Sequence, residues 1–193
     1  MFEIIGEHVS KLDDEGLRTL VSHLCEAELR QSELPISSVT SGGHQDARDK
    51  GIDVRVNIPI SASFSSMDFI PRSNTGFQIK KTDMPARKIA LEICPKGDLR
   101  QAIKDLASSN GAYIIVSSQG STTDSTLANR RKAMRIAIGD LPNGANIHLD
   151  FYDRERLASW VRTIDFRSWV PHETRRAARL DGGKSTSTVR VPQ

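Results

Sequence analysis

The sequence predicts an α/β fold built on a mixed sheet, and three observations carry that prediction. In "IDVRVNIPI", Ile52, Val54, Val56 and Ile58 alternate with Asp53, Arg55 and Asn57, a period of two that marks a strand with one polar face. "AYIIVSS", from Ala112 to Ser118, is an unbroken apolar run bounded by turn residues, the pattern of a strand covered on both faces. From Lys96 onward the order helix, strand, helix, strand predicts a crossover unit packed against the earlier meander.

The elements follow in order. Residues 14–31, "DEGLRTLVSHLCEAELRQ", place Leu17, Leu20, Val21 and Leu24 at helical spacing behind an acidic start, which predicts the first helix. A short strand and a polar, glycine-containing loop fill "SELPISSVTSGGHQDARDKG" before the "IDVRVNIPI" strand. After a Ser-rich connection, "TGFQIKK" reads as a strand with Phe77 and Ile79 on one face and Gln78 and Lys80 on the other. "ARKIALEICP" is a further apolar run, read as another strand. "PKGDLRQAIKDLASSNG" then predicts a helix on Leu99, Ile103 and Leu106, closed by Asn110-Gly111. "TTDSTLANRRKAMRIAIGD" predicts a capped helix with Leu127, Met134 and Ile138 along one face. "ANIHLDFYD" adds a strand and "DRERLASWVRTI" a last helix.

A chain of 193 residues is long enough for one well-buried domain and too short for two comfortable ones. The expected division is a domain over residues 1–170, then a flexible tail or linker over residues 171–193, where apolar periodicity gives way to Arg, Ser, Thr and Gly. Hydrophobic residues make up 37% and charged residues 26%, which excludes a disordered chain. No window approaches 18 uncharged apolar residues, so neither a membrane span nor a signal peptide is expected. Cys25 and Cys94 are far apart with no CxxC spacing, which argues against a disulfide framework and fits a reducing cytoplasm. The formal net charge of +3 suits a polyanion without demanding one.

The polar strand faces hold the chemistry. Asp53 lies on one strand and Gln78 and Lys80 on the next; if the strands are neighbours, the three side chains converge. A carboxylate and an amide oxygen are hard ligands suited to Mg²⁺ (or Mn²⁺), and a lysine beside them suits the charge of a phosphate under attack. A solvated edge-strand face gives the same periodicity. On the first helix, at roughly 100° per residue, Glu28 falls on the Leu17 stripe. A carboxylate aimed inward needs a partner, such as a metal ion or Lys80, unless the helix ends before it.

The order helix with Glu28, strand with Gly51-Ile52-Asp53, strand with Gln78-Ile79-Lys80 resembles the PD-(D/E)xK restriction-endonuclease-like fold, in its Mrr-type branch, where Gln replaces the acidic residue of (D/E)xK. The wider run, "GIDVRV", "IPRSNTGFQIKKTDMP", "KIALEICPKGDLRQAI", "GAYIIVSS" and "LANRRKAMRIAI", is similar to the N-terminal nuclease domains of bacterial antiviral STAND ATPases. The resemblance implies a metal-dependent endonuclease acting on double-stranded DNA with little sequence specificity. It further implies a defence effector that works as a homo-oligomer, switched on by a downstream ATPase and sensor region of the same polypeptide. By position it implies that Asp53 and Gln78 bind the cation, that Lys80 is the catalytic lysine and that Glu28 is the helix carboxylate. The proline that precedes the first acidic residue in much of the fold is replaced here by Gly51-Ile52. A catalytically inactive nucleic-acid-binding module and an oligomerisation module are the alternatives.

Lys81, Arg130, Arg131 and Arg135 are candidate contacts to DNA phosphates, with Lys132, Arg87 and Lys88 nearby; a solvated helix face is the other reading of such a cluster. "SSQGSTTDS" suits a helix cap better than a phosphate site. "GGKST", Gly182 to Thr186, lacks the first glycine of a phosphate-binding loop, whose place is taken by Ala178. The histidines, His44 included, show no metal-ligand spacing.

Overall fold

The computed structural model describes residues 3–42, 51–59 and 61–169. His44, the tail from residue 171 and the Gly182–Thr186 run lie outside them. The chain begins with a one-turn helix, α1 (Gly6–Ser10), and then α2 (Asp14–Gln31). Asp13 caps α2 by accepting from the Gly16 amide at 2.7 Å, and Leu17, Val21, Leu24 and Glu28 emerge on its buried side, as the stripe predicts. A 3-10 turn over Ile36–Ser38 leads into β1 (Val39–Ser41), β2 (Val54–Asn57) and β3 (Asn74–Lys80), paired antiparallel with Val54 opposite Phe77. This is the predicted meander.

Beyond β3 the sheet changes character. β4 (Ala112–Ser117) pairs parallel with β3, and β5 (His148–Tyr152) parallel with β4, giving the order β1-β2-β3-β4-β5. Parallel neighbours need long crossovers, and helices supply them: α3 (Ala86–Ile93) and α4 (Gln101–Ser108) before β4, α5 (Asp124–Ile138) before β5. Every residue of β4 is buried, which accounts for its unbroken apolar sequence. α6 (Arg154–Trp169) completes the described chain. No helix among the described residues is long and apolar enough to cross a membrane.

α3 corrects the expected strand at "ARKIALEICP". Ile89, Leu91 and Ile93 alternate in sequence as a strand would, but only Ile89 and Ile93 are buried, four residues apart, while Leu91 is 61% exposed. Pro85 also occupies the position before the first turn, where its missing N–H costs the helix nothing.

The sheet separates two apolar cores. On one face Val54, Val56, Phe77, Ile79, Ile114 and Val116 pack against α2 and α6, around Phe69, Tyr152 and Trp160. The rings of Phe69 and Trp160 stack with centroids 4.9 Å apart. On the other face Tyr113, Ile115, Leu149 and Phe151 meet Ile89 and Ile93 of α3, Ile103 and Leu106 of α4, and Met134 and Ile138 of α5. Since successive strand residues alternate faces, Asp53, Gln78 and Lys80 belong to this second face. Cys25 and Cys94 are both free thiols.

Candidate active site

The antiparallel register that sets Val54 opposite Phe77 brings Asp53 beside Gln78. The Asp53 amide donates to the Phe77 carbonyl at 2.8 Å, extending the ladder by one residue past the end of β2. Asp53 Oδ2 then accepts from Gln78 Nε2 at 2.6 Å and from the Ile79 amide at 2.7 Å, while Oδ1 lies 3.6 Å from an Arg18 nitrogen. An ionised carboxylate only accepts, so the Gln78 amide must turn its nitrogen toward Asp53 and its oxygen away. Gln78 is 5% exposed, and its Oε1 is buried with no hydrogen-bond partner. Such an atom is uncommon, because burying an acceptor without a donor costs about 1–3 kcal/mol.

Two residues along β3 on the same face, Lys80 Nζ lies 3.1 Å from Glu92 Oε2 on α3. Glu92 Oε1 is 2.8 Å from Arg100 Nη2, and Arg100 Nε also donates to the Glu92 main-chain carbonyl. The Arg100 stem packs against Gly51, whose φ of +121° and missing Cβ leave room for it just ahead of Asp53. Tyr113 of β4 lies on the same face of the sheet, fully buried, its hydroxyl without a hydrogen-bond partner. Burial pushes this phenol far above its ordinary pKa; Glu92 raises it further, Arg100 opposes and Asp53 adds a smaller increase. The site therefore joins Asp53, Gln78 and Lys80 to Glu92, Arg100 and Tyr113. In the sequence Tyr113 is hidden because it looks like one more core residue, Arg100 because it falls in the lead into a helix, and Glu92 because "ARKIALEICP" looks like a strand. The i, i+4 pair Ile89 and Ile93 was the signal for a helix there.

Glu28 does not join them. Its inward direction is as the helical phase predicts, for it is 1% exposed. The partner is different: Glu28 Oε2 accepts from Trp160 Nε1 at 2.9 Å, within the aromatic core on the opposite face of the sheet. α2 touches the site only with its first turns, where Asp14 Oδ1 accepts from the Lys81 amide at 2.8 Å and Arg18 approaches Asp53. Glu28 is ten residues beyond Arg18, about 15 Å along the helix.

One member of the basic cluster on α5 looks inward. Arg130, placed among the candidate DNA contacts, is 4% exposed; its Nη2 donates to Asp83 at 2.9 Å and its guanidinium lies 4.4 Å from the Phe151 ring centroid. Arg130 shares the stripe of Met134 and Ile138, four and eight residues on, and so is enclosed rather than offered to a polyanion. Arg131 donates to Asp150 at 2.7 Å, and Arg135 to the carbonyls of Gly144 and Ile147. They fasten α5 to β5 and to the segment entering it, respectively. Lys132, Arg87 and Lys88 are exposed, and Lys81 is partly so.

Among the described residues no three His, Cys, Asp or Glu side chains are grouped to hold a metal ion. A hard cation would need the amide oxygen of Gln78 as well as carboxylates. The donor chemistry fits, since Mg²⁺ takes one or two carboxylates and keeps several waters, and Gln78 Oε1 is an unfilled acceptor beside Asp53. No family model, no curated protein and no solved structure matches the chain.

Proposed function

We propose that the chain is a metal-dependent DNA endonuclease with a restriction-endonuclease-like core. The observation that carries this reading is the buried, unfilled oxygen of Gln78, held beside the Asp53 carboxylate and two residues from Lys80. The order that underlies the resemblance, a helix, a strand ending at Asp53 and a strand with Gln78 and Lys80, folds with the last two strands adjacent, which supports it. Asp53 and Gln78 would hold a divalent cation, which supplies Lewis-acid stabilisation of charge on a phosphate oxygen.

The chain's own groups do the rest. Hydrolysis forms one bond from a water oxygen to phosphorus, breaks one phosphorus–oxygen bond and transfers one proton to the departing sugar oxygen. Lys80, 32% exposed at the rim, places an ammonium where a phosphate oxygen gains charge. The first turns of α2 support the same rim through Asp14 and Arg18. Double-stranded DNA, a cytoplasmic defence role, homo-oligomeric activation and control by an ATPase and sensor region are the parts of the proposal that rest on the resemblance alone.

A nucleic-acid-binding module without catalysis is the second reading, favoured by the ion pairs that already engage Lys80 and Asp53. Cleavage of supercoiled plasmid with Mg²⁺ separates the two. Asp53→Ala and Lys80→Ala should each lower the rate by about 100-fold or more. Equal rates in all three proteins would sink the mechanism. Salt-sensitive DNA binding without cleavage by any of them would favour the second reading.

A further inference from the structure

We propose that Glu92 is the second carboxylate of the cation site, binding the divalent ion together with Asp53 and Gln78 Oε1. The inference rests on the endonuclease reading and specifies its ligand set: the acidic residue from a helix comes from α3, after the strands, and not from α2 before them.

Four observations converge on it. Glu92 belongs to the polar group of the second face, joined to Lys80 by a 3.1 Å contact and to Asp53 through Arg100 and Gly51. Its side chain is 14% exposed, so an ion held there is largely screened from bulk water. Each of its oxygens meets one cationic nitrogen, which leaves a lone pair on each unfilled. Two further polar atoms on the same face of the sheet lack partners, Gln78 Oε1 and the Tyr113 hydroxyl, and both are fully buried. Unfilled acceptors from an amide and two carboxylates form a hard oxygen set, and the hydroxyl of Tyr113 is a donor for a water on such an ion.

The arrangement assigns Lys80 two partners in turn. Without a cation its ammonium neutralises Glu92; with Glu92 engaged by the ion, the ammonium is released toward a phosphate at the rim. Removal of Lys80 should therefore leave Glu92 more available to the cation.

Mn²⁺ serves as the probe, titrated into the whole 193-residue chain without DNA and followed by the electron paramagnetic resonance of the free ion. Wild type should bind Mn²⁺, Asp53→Asn and Glu92→Gln should each weaken binding by about 10-fold or more, and Lys80→Met should tighten it. Glu28→Gln should bind as wild type. Glu92→Gln keeps an oxygen for Arg100, and a thermal melt of each variant confirms that it is folded. If Asp53→Asn loses Mn²⁺ while folded Glu92→Gln binds like wild type, the assignment of Glu92 is overturned and the endonuclease reading stands. If wild type binds no Mn²⁺ at millimolar concentration, both are overturned. Weakened binding by Lys80→Met would overturn the exchange of partners.

Discussion

Glu28 and Glu92 are two carboxylates drawn out of water on opposite faces of one sheet, and their surroundings differ in kind. Glu28 accepts from the indole of Trp160 among stacked aromatic rings. Glu92 meets two cations, on a face of the sheet where an amide oxygen and a phenol lack hydrogen bonds. The first is a polar strut in a core; the second belongs to a group of side chains whose binding capacity is unfilled. Inward direction is therefore a poor marker of a site. Incomplete hydrogen bonding is a better one only where polar groups of complementary chemistry share a face, since Gln31 Oε1, Asn74 Oδ1 and two nitrogens of Arg130 are also buried without partners.

The contrast is open to direct attack. Trp160→Ala should have the largest effect, a loss of about 3–5 kcal/mol in urea denaturation, because it removes a buried stacked ring and the indole donor to Glu28. Its plasmid cleavage per folded molecule should stay at the wild-type rate; a fall would join the two faces functionally. Arg130→Met should come next, at about 1–3 kcal/mol, because the buried guanidinium loses its stack on Phe151 and its contact with the half-exposed Asp83. The salt dependence of DNA binding by this variant should be unchanged, whereas loss of a true phosphate contact would reduce the slope by about one.

The smallest effect is a pH dependence at the start of β5. Burial lowers the His148 pKa from its ordinary value of 6.5; Arg72, Arg131 and Arg135 act in the same direction and Asp150 opposes them. The unfolded chain therefore binds more protons in the window below about 6.5, and stability falls as pH drops through it. His148→Gln should flatten the melting temperature between about pH 7 and pH 5; an unaltered slope would assign the dependence to other groups.

Local signals carried much of the fold. The alternation in "IDVRVNIPI" and "TGFQIKK" and the unbroken run of β4 match the strands, and Asp14–Gln31 is the helix its stripe predicts. Where a local pattern has two solutions, the choice is made by packing far along the chain. Ile89, Leu91 and Ile93 satisfy both periods, and only the second core, filled by Ile103, Met134 and Tyr113, decides for a helix. The same holds for the site. The shared face of Asp53, Gln78 and Lys80 follows from strand alternation, but the depth of Glu28 along α2 and the side of the sheet it enters do not. Arg130 was legible in principle, since it shares a helical face with Met134 and Ile138.

Gly51 gives the site an evolutionary signature. Its backbone lies in a region that side chains avoid, and the space its own Cβ would fill belongs to Arg100. A side chain at 51 is thus barred twice, by torsion and by collision, and relief of one obstacle leaves the other. Any lineage that changes this glycine while keeping the Glu92–Arg100 pair would have to reshape the approach to Asp53 as well. Positions 51 and 100 should therefore drift together or not at all.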